Sequence, residues 1–270
     1  RRSRIMYRLI WFQHVHKAAG STIVNQAIAN GETLFPTHEN GNPCSDDGEV
    51  IPIWDFDESK LRAFVDECES IGITFVATEW GAPDYRVLHS DPRVLLLTSI
   101  RDPWSRVVSN YNYDFYLGHS RSNSLSNYLE ENHRIMMDNY LVRVFSNEFT
   151  SDPDSLDEQS VSTALENIRL FDLVLVIERE KDLSNHLFEA LGWRKEQVDP
   201  HSTFGNLWTL STLICQFRIL SAVRYMFGRK LIISEEERTQ FITESEMDLS
   251  FYSSIVDEKI LGPNHPLFME

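Results

Sequence analysis

The segment HVHKAAGST, residues 14–22, contains residue types that proteins use to bind anionic groups. It follows an apolar stretch typical of a strand and precedes a helical stretch, so backbone N–H groups at the helix start would converge there. Small residues would let the backbone approach an anion closely, while a lysine and two hydroxyls would add donors. The pattern predicts a phosphate cradle, although a plain strand-to-helix turn with an exposed lysine has the same features. The cradle residues are Lys17, Ala18, Ala19, Gly20, Ser21 and Thr22.

A second group of anion-binding types lies in RDPWSRVVSNY, residues 101–111. Arg101 comes directly after an apolar run that predicts a buried strand, and α/β sheets bind ligands at the carboxyl ends of their strands. Its guanidinium could fork onto two phosphate oxygens. Ser109, eight positions later on the predicted helix, could add a hydroxyl to the same phosphate. The alternative for Arg101 is a structural salt bridge with Asp102 or with a neighbouring carboxylate.

Strand and helix patterns alternate along the chain, and these elements must position the two segments. Continuous apolar runs suit parallel strands that are covered on both faces, whereas amphipathic runs predict helices. Strands are predicted at 5–13, 73–80, 93–100 and 171–178. Helices are predicted at 21–30, 57–70, 101–116, 123–132, 138–147, 157–170, 181–193, 206–227 and 234–247. The alternation predicts one α/β domain over residues 1–270, with a doubly wound parallel sheet flanked by helices and a helical C-terminal part.

The composition limits the partners that this chain could have. Hydrophobic residues make up 42% and charged residues 24%, which is typical of a globular chain with its own core. No apolar run is long enough to predict a membrane span. The net charge of −16 argues against nucleic acid or another large polyanion as a partner, so a bound anion would need a local cluster of donors. The three cysteines have no spacing typical of a zinc site.

Together the two segments resemble the cofactor-binding motifs of sulfotransferases, above all of those that act on carbohydrates. HVHKAAGST is similar to the loop that binds the 5′-phosphosulfate of 3′-phosphoadenosine-5′-phosphosulfate (PAPS), and RDPWSRVVSNY is similar to the motif that binds its 3′-phosphate. DNYLVRVFS, FDLVLVIEREKDLSNHLFEALGW and MDLSFY resemble later segments of the family, in the family's order. The resemblance implies a P-loop-like fold and a metal-independent transfer of a sulfuryl group from PAPS to an acceptor hydroxyl. It also implies that Lys17 is catalytic, that residues 17–22 hold the 5′-phosphosulfate, and that Arg101 and Ser109 hold the 3′-phosphate.

The acceptor hydroxyl needs a general base, which related enzymes place just after the second main strand. Glu79 stands at that point and is the expected base, with His14 and His16 as alternatives. His16 stands where the family usually has proline. The resemblance favours a glycan as the acceptor and leaves a small or lipid alcohol open. It implies the Golgi lumen if an anchor segment precedes Arg1, and the cytoplasm otherwise. The apolar stretch 206–227 is expected to be a core helix, with a wall for a lipid-like acceptor or a membrane-surface helix as alternatives.

Two other functions fit parts of the pattern. A nucleotide-dependent kinase would need carboxylates for Mg²⁺, and Asp102 and Glu178, each beside a strand end, are the candidates. Its phosphate loop would have Walker A spacing, in which a lysine follows the second glycine, but Lys17 precedes Gly20 by three positions. A non-catalytic binding protein could share the fold, since fold does not fix function. The presence of Lys17 favours catalysis over such a role.

Overall fold

The computed structural model describes residues 7–131, 138–149, 152, 155–179, 183–194, 207–215, 218–227 and 231–257. The strands are β1 (Leu9–Gln13), β2 (His38–Glu39), β3 (Asn42–Pro43), β4 (Phe75–Thr78), β5 (Val94–Ile100) and β6 (Leu173–Val176). The helices are α1 (Gly20–Ala29), α2 (Glu58–Ile71), α3 (Tyr85–His89), α4 (Pro103–Leu117), α5 (Leu125–Glu130), α6 (Tyr140–Ser146), α7 (Glu158–Ile168), α8 (Leu183–Leu191), α9 (Leu207–Cys215), α10 (Ile219–Phe227), α11 (Glu235–Glu244) and α12 (Glu246–Asp257).

Four parallel strands form one sheet in the order β4-β1-β5-β6. β1 lies in the interior of this sheet, where Ile10 pairs with Phe75 on one side and with Leu95 on the other. β2 and β3 form a separate antiparallel pair next to β4. The predicted α/β class, with a parallel sheet flanked by helices, is therefore confirmed.

Side chains that alternate along β1 enter two different cores. Leu9 and Trp11 pack with residues of α2, α3, α6, α7 and α12, whereas Ile10 and Phe12 pack with residues of α1 and α8. All four side chains are inaccessible to solvent. This two-sided burial explains why the strands are apolar at successive positions instead of alternating with polar residues.

The predicted boundaries differ from the observed ones mainly at strand ends and in the C-terminal part. The observed part of the first strand starts at Leu9 instead of residue 5, and residues 5–6 lie outside the described ranges. The stretch predicted as one helix at 206–227 contains two helices, α9 and α10, and residues 206, 216 and 217 are not described.

The expectation of a core helix at 206–227 is only partly correct, because α10 is buried on one side alone. Ala222 and Tyr225 of α10 pack in a cluster with Tyr116 and Leu117 of α4. The side chain of Leu220 is 80% exposed. Several neighbouring apolar side chains of α10 are also exposed. Among the described residues, no helix is long and apolar enough to cross a bilayer.

A buried carboxylate joins α12 to the start of α6. Asp248 accepts hydrogen bonds from the backbone N–H groups of Leu141 (3.0 Å) and Val142 (2.9 Å), which α6 itself cannot satisfy. Burial raises the pKa of Asp248 to about 6, and the two N–H groups partly oppose the rise. Tyr140 begins α6, and its hydroxyl accepts a hydrogen bond from the backbone N–H of His16 at 3.4 Å. Because Asp248 fixes the start of α6, it also helps to position Tyr140, whose hydroxyl contacts the segment after β1.

We expect the free energy of unfolding of the wild type to fall, relative to that of Asp248→Asn, as the pH rises from about 4 to about 6. The folded-state pKa of about 6 lies above the ordinary value of about 3.9, so the folded state binds this proton more tightly. The stabilisation is complete below the unfolded value and is lost as the pH rises through the folded value, whereas asparagine does not titrate. Urea unfolding of both proteins at several pH values measures the difference, and a difference independent of pH would contradict the expectation.

Candidate functional site

The carboxyl ends of β1 and β5 lie side by side at the middle of the sheet. The connection that leaves β1 leads to β4 on one side, and the connection that leaves β5 leads to β6 on the other. The two connections diverge at this point, which is where open α/β sheets bind ligands. Lys17 lies in the segment after β1 and Arg101 follows β5, and Arg101 Nη1 donates to the carbonyl oxygen of Lys17 at 3.3 Å. The two anion-binding segments predicted from the sequence therefore lie together.

The backbone between β1 and α1 has an unusual conformation. Lys17 and Ala19 have φ angles of 62° and 64°, in the left-handed region that residues with a Cβ atom disfavour. Such residues direct successive N–H groups to one concave side, as in the nests that bind anions. The N–H groups of Lys17, Ala19, Gly20 and Ser21 donate no hydrogen bond to any residue that the structure describes. These donors could therefore bind an anion at the start of α1.

Two side chains, one in β5 and one directly after it, donate hydrogen bonds to carbonyl groups of this segment. Ser99 Oγ donates to the carbonyl oxygen of Ala18 at 2.5 Å. Arg101 Nη1 donates to the carbonyl oxygen of Lys17. These bonds fix the segment through its carbonyl groups, and the N–H groups without a described partner are not needed to hold the segment in place.

The ammonium group of Lys17 lies over the ring of Tyr113, 3.9 Å from the ring centroid. Burial lowers the pKa of Lys17 to about 8; the charge of Asp114 opposes this decrease and the charge of Arg101 reinforces it. Tyr113 lies four positions after Ser109 on α4, and residues at this spacing share one helix face. Ser109 is therefore on the face of α4 that meets Lys17.

Glu79 follows β4 and is buried between two histidines of the segment after β1. Its Oε1 lies 2.8 Å from Nδ1 of His16, and its Oε2 lies 3.3 Å from Nδ1 of His14. Burial alone would raise the pKa of Glu79, but the two imidazoles hold it well below its ordinary value. The side chain of Glu79 is therefore a carboxylate at neutral pH. Its backbone N–H donates to Oδ1 of Asn42 at 2.8 Å, so β3 also fixes this residue.

The imidazole of His14 packs directly against Gly20. A Cβ atom on Gly20 would lie 1.7 Å from His14 Nε2, so no other residue type fits without moving the ring. His14 also stacks on Phe12, with 5.4 Å between ring centroids. The sequence predicted Gly20 as a residue of the cradle, and the close contact with His14 is a second requirement for glycine that the sequence did not reveal.

Arg101 is held by Glu178, which follows β6. The Nε atom of Arg101 lies 3.6 Å from Oε1 of Glu178, an ion pair rather than a hydrogen bond. Oε2 of Glu178 accepts from the Tyr252 hydroxyl at 2.9 Å and from the backbone N–H of Asp102 at 3.1 Å. The carboxylate of Asp102 instead caps α4 by accepting from the backbone N–H of Ser105 at 2.8 Å. The salt-bridge alternative for Arg101 is thus present in part, with Glu178 as the partner.

The three hydroxyl residues of the predicted site are partly accessible. Ser21, Thr22 and Ser109 are each half-buried, and their hydroxyls make no hydrogen bond to the part of the chain that is described. Ser21 and Thr22 lie in the first turn of α1, beside the N–H groups of the predicted cradle. All three remain available to a ligand.

Several residues of the site were not identified from the sequence, among them Ser99, Tyr113, Asp114 and Tyr140. The spacing of Tyr113 from Ser109 was the one available signal, since residues four apart lie on one helix face. Tyr140 contacts His16 across 124 positions of the chain, and no local pattern encodes such a contact.

No protein-family model matches the chain, and no curated protein matches it.

Gly20→Ala should lower the free energy of unfolding by about 1–3 kcal/mol, because the new methyl group displaces the His14 ring from a packed position. The matched test is a double-mutant cycle with His14→Ala, which removes the ring. In the His14→Ala background the cost of Gly20→Ala should be much smaller, as expected for residues in contact. Urea denaturation followed by circular dichroism measures all four proteins, and an equal cost in both backgrounds would refute the contact.

Proposed function

We propose that this protein is a sulfotransferase with a P-loop-like fold, which transfers a sulfuryl group from PAPS to a hydroxyl group of an acceptor. The observation that carries the proposal is the juxtaposition of Lys17, and of N–H groups that donate to no described residue, with Arg101 at the carboxyl ends of β1 and β5. PAPS carries anionic groups on both its 5′ and 3′ positions. Two adjacent anion-binding groups on neighbouring strands fit such a nucleotide.

The first group of donors suits the 5′-phosphosulfate. The N–H groups of residues 19–21, the hydroxyls of Ser21 and Thr22 and the ammonium of Lys17 belong to one short segment at the start of α1. Donors in this position combine hydrogen bonds with the positive end of the helix dipole. Left-handed backbone at Lys17 and Ala19 costs about 1–3 kcal/mol per residue, a cost that is typical of functional sites.

The second group of donors suits the 3′-phosphate. Arg101 retains a partly exposed guanidinium whose contacts are with a backbone carbonyl and, at 3.6 Å, with Glu178. Ser109 has a half-buried hydroxyl on the face of α4 that meets Lys17. Arginine forms charge-assisted, often bidentate hydrogen bonds with phosphate groups, and a hydroxyl can add a further donor. Recognition of this phosphate would separate PAPS from nucleotides such as ATP.

Bound PAPS would supply an activated sulfuryl group, and the residues of the chain would assist its in-line transfer. Lys17 would stabilise the negative charge that develops on the bridging oxygen as the bond to sulfur breaks. The buried pair of Glu79 and His16 would accept the proton of the acceptor hydroxyl. The resemblance of the sequence motifs favours a glycan as the acceptor, and the Golgi lumen as the location if an anchor precedes the chain.

The two carboxylates that a kinase would need for Mg²⁺ have other partners. Asp102 caps α4, and Glu178 accepts hydrogen bonds from Tyr252 and from the Asp102 backbone while it pairs with Arg101. These contacts favour sulfuryl transfer over the kinase alternative.

Calorimetry should detect binding of 3′-phosphoadenosine-5′-phosphate (PAP), the nucleotide product, and weaker binding of ADP and of Mg²⁺-ATP. Arg101→Ala should weaken PAP binding about 10- to 100-fold, because a charge-assisted contact to a phosphate is lost. It should change ADP binding little, since ADP has no 3′-phosphate.

Arg62→Ala is the matched control. Arg62 pairs with Glu58 and Ser90, and Ser90 precedes β5, so it lies at the opposite edge of the sheet. This variant should bind PAP like the wild type. Equal or tighter binding of Mg²⁺-ATP than of PAP would instead point to the kinase.

The affinity for PAP should fall as the pH rises above about 8. The ammonium of Lys17 has a pKa of about 8 in the ligand-free protein. An anion stabilises the charged form and raises this pKa, so binding is full below about 8 and weakens up to about tenfold per pH unit above it. Lys17→Met should bind PAP more weakly and lose this dependence. Calorimetry between pH 7.5 and 9.5 measures the affinity of both proteins for PAP. If the affinity decreases equally in the wild type and in Lys17→Met, a group other than Lys17 causes the effect.

A further inference from the structure

The two nitrogens of the His16 imidazole have different surroundings. Nδ1 lies 2.8 Å from Oε1 of Glu79, while Nε2 is buried and makes no hydrogen bond to any described residue. The carboxylate of Glu79 can only accept, so the proton between the two groups is on Nδ1 of His16. Nε2 therefore carries a lone pair without a donor. A buried polar atom of this kind is rare in folded proteins.

Glu79 and His16 differ in their suitability as a base. Two imidazoles hold the pKa of Glu79 well below its ordinary value, which makes its carboxylate a weak base. Both of its oxygens are also engaged, by His16 and by His14. The neutral imidazole of His16 has a free lone pair and an intrinsic pKa much nearer to neutral pH, where general bases are most effective.

We propose that Nε2 of His16 accepts the proton of the acceptor hydroxyl, and that Glu79 is a positioning residue that holds His16 in the Nδ1–H tautomer. This inference rests on the proposed sulfuryl transfer. The acceptor oxygen forms a bond to sulfur while the bond between sulfur and the bridging phosphate oxygen breaks. The electron pair of the broken bond stays on that oxygen, beside Lys17, and the hydroxyl proton moves to Nε2. Glu79 stabilises the resulting imidazolium, which then loses its proton to solvent.

Titratable groups face His16 from three parts of the chain. Burial lowers the pKa of His16; Glu79, after β4, opposes this decrease, and Lys17 and His14 of its own segment reinforce it. From α6, the Tyr140 hydroxyl accepts from the backbone N–H of His16 at 3.4 Å. Nε2 is shielded from solvent in the ligand-free protein. The proposed role therefore requires the atoms that cover Nε2 to move when the acceptor binds.

The first test is the tautomer of His16, measured by ¹⁵N NMR of the imidazole in the wild type and in Glu79→Gln, with and without PAP. We expect Nδ1–H and an unprotonated Nε2 in the wild type at neutral pH. In Glu79→Gln we expect a mixture of tautomers and a lower pKa of His16, because the carboxylate that raises this pKa is absent. A proton on Nε2 in the wild type would overturn the proposal, and this readout needs neither turnover nor a variant of His16.

The second test is the release of sulfate from PAPS with water as the acceptor, in the wild type, His16→Asn and Glu79→Gln. His16→Asn should bind PAP as tightly as the wild type but lose about 10²-fold or more in rate. The rate of the wild type should decrease as the pH falls through the pKa of His16, and Glu79→Gln should move this inflection to lower pH. His89→Asn, which changes an exposed histidine of α3, is the matched control and should behave like the wild type.

The outcomes separate this inference from the function on which it rests. A wild-type protein that fails to bind PAP would overturn the sulfotransferase function, and with it this role of His16. PAP binding together with an unchanged rate in His16→Asn would overturn the role of His16 alone. An inflection that does not move in Glu79→Gln would show that Glu79 does not act through His16.

Discussion

The burial of one carboxylate, Glu79, determines much of the arrangement at the carboxyl edge of the sheet. A buried charge is costly unless hydrogen bonds and opposite charges compensate it. The compensation comes from His14 and His16, so both imidazoles must point back from the segment after β1 towards the end of β4. The chain then turns through two left-handed residues, Lys17 and Ala19, before α1 can begin. The ring of His14 leaves no room for a Cβ atom at the first residue of α1. The shape of the predicted cradle is thus linked to the partners of Glu79.

The helix α4 connects the remaining parts of the site. Asp102 and Pro103 start the helix directly after β5, with the Asp102 side chain as its cap. The start of the helix is thus fixed one residue after Arg101, which places Ser109 and Tyr113 on consecutive turns. The ring of Tyr113 then meets Lys17. A short cap at the end of a strand therefore sets the distance between the arginine, the hydroxyl and the lysine.

Local patterns predicted the four strands of the main sheet, most of the helices and two segments with anion-binding residue types, because strands, helix caps and small-residue turns are encoded by neighbouring residues. They did not predict β2, β3, α3 or α12. Ser234 and Glu237 form the capping box of α11 that such a pattern implies. The contacts that give the site its chemistry are not local. His16 and Glu79 are separated by 63 positions, and no spacing rule links them. The same limit explains the stretch 206–227, which was expected to be a core helix. Composition alone could not show which apolar side chains of α10 pack against other elements and which remain exposed.

The charges at this edge of the sheet are not paired one to one, and this imbalance favours an anionic ligand. Glu79 is held by two imidazoles, Asp114 accepts from Tyr128 and Asn110, and Glu178 is shared between Tyr252, Asp102 and Arg101. Within the described ranges no carboxylate forms an ion pair with Lys17, whose ammonium rests on an aromatic ring.

The chain has a net charge of −16, yet a lysine and an arginine lie next to each other at this site. The burial that lowers the pKa of Lys17 to about 8 also removes the water that would screen this charge. The desolvation that destabilises the ammonium in the ligand-free protein therefore strengthens its attraction to a bound anion. An anionic group between Lys17 and Arg101 would relieve both their mutual repulsion and the unmet hydrogen bonds of the N–H groups at the start of α1.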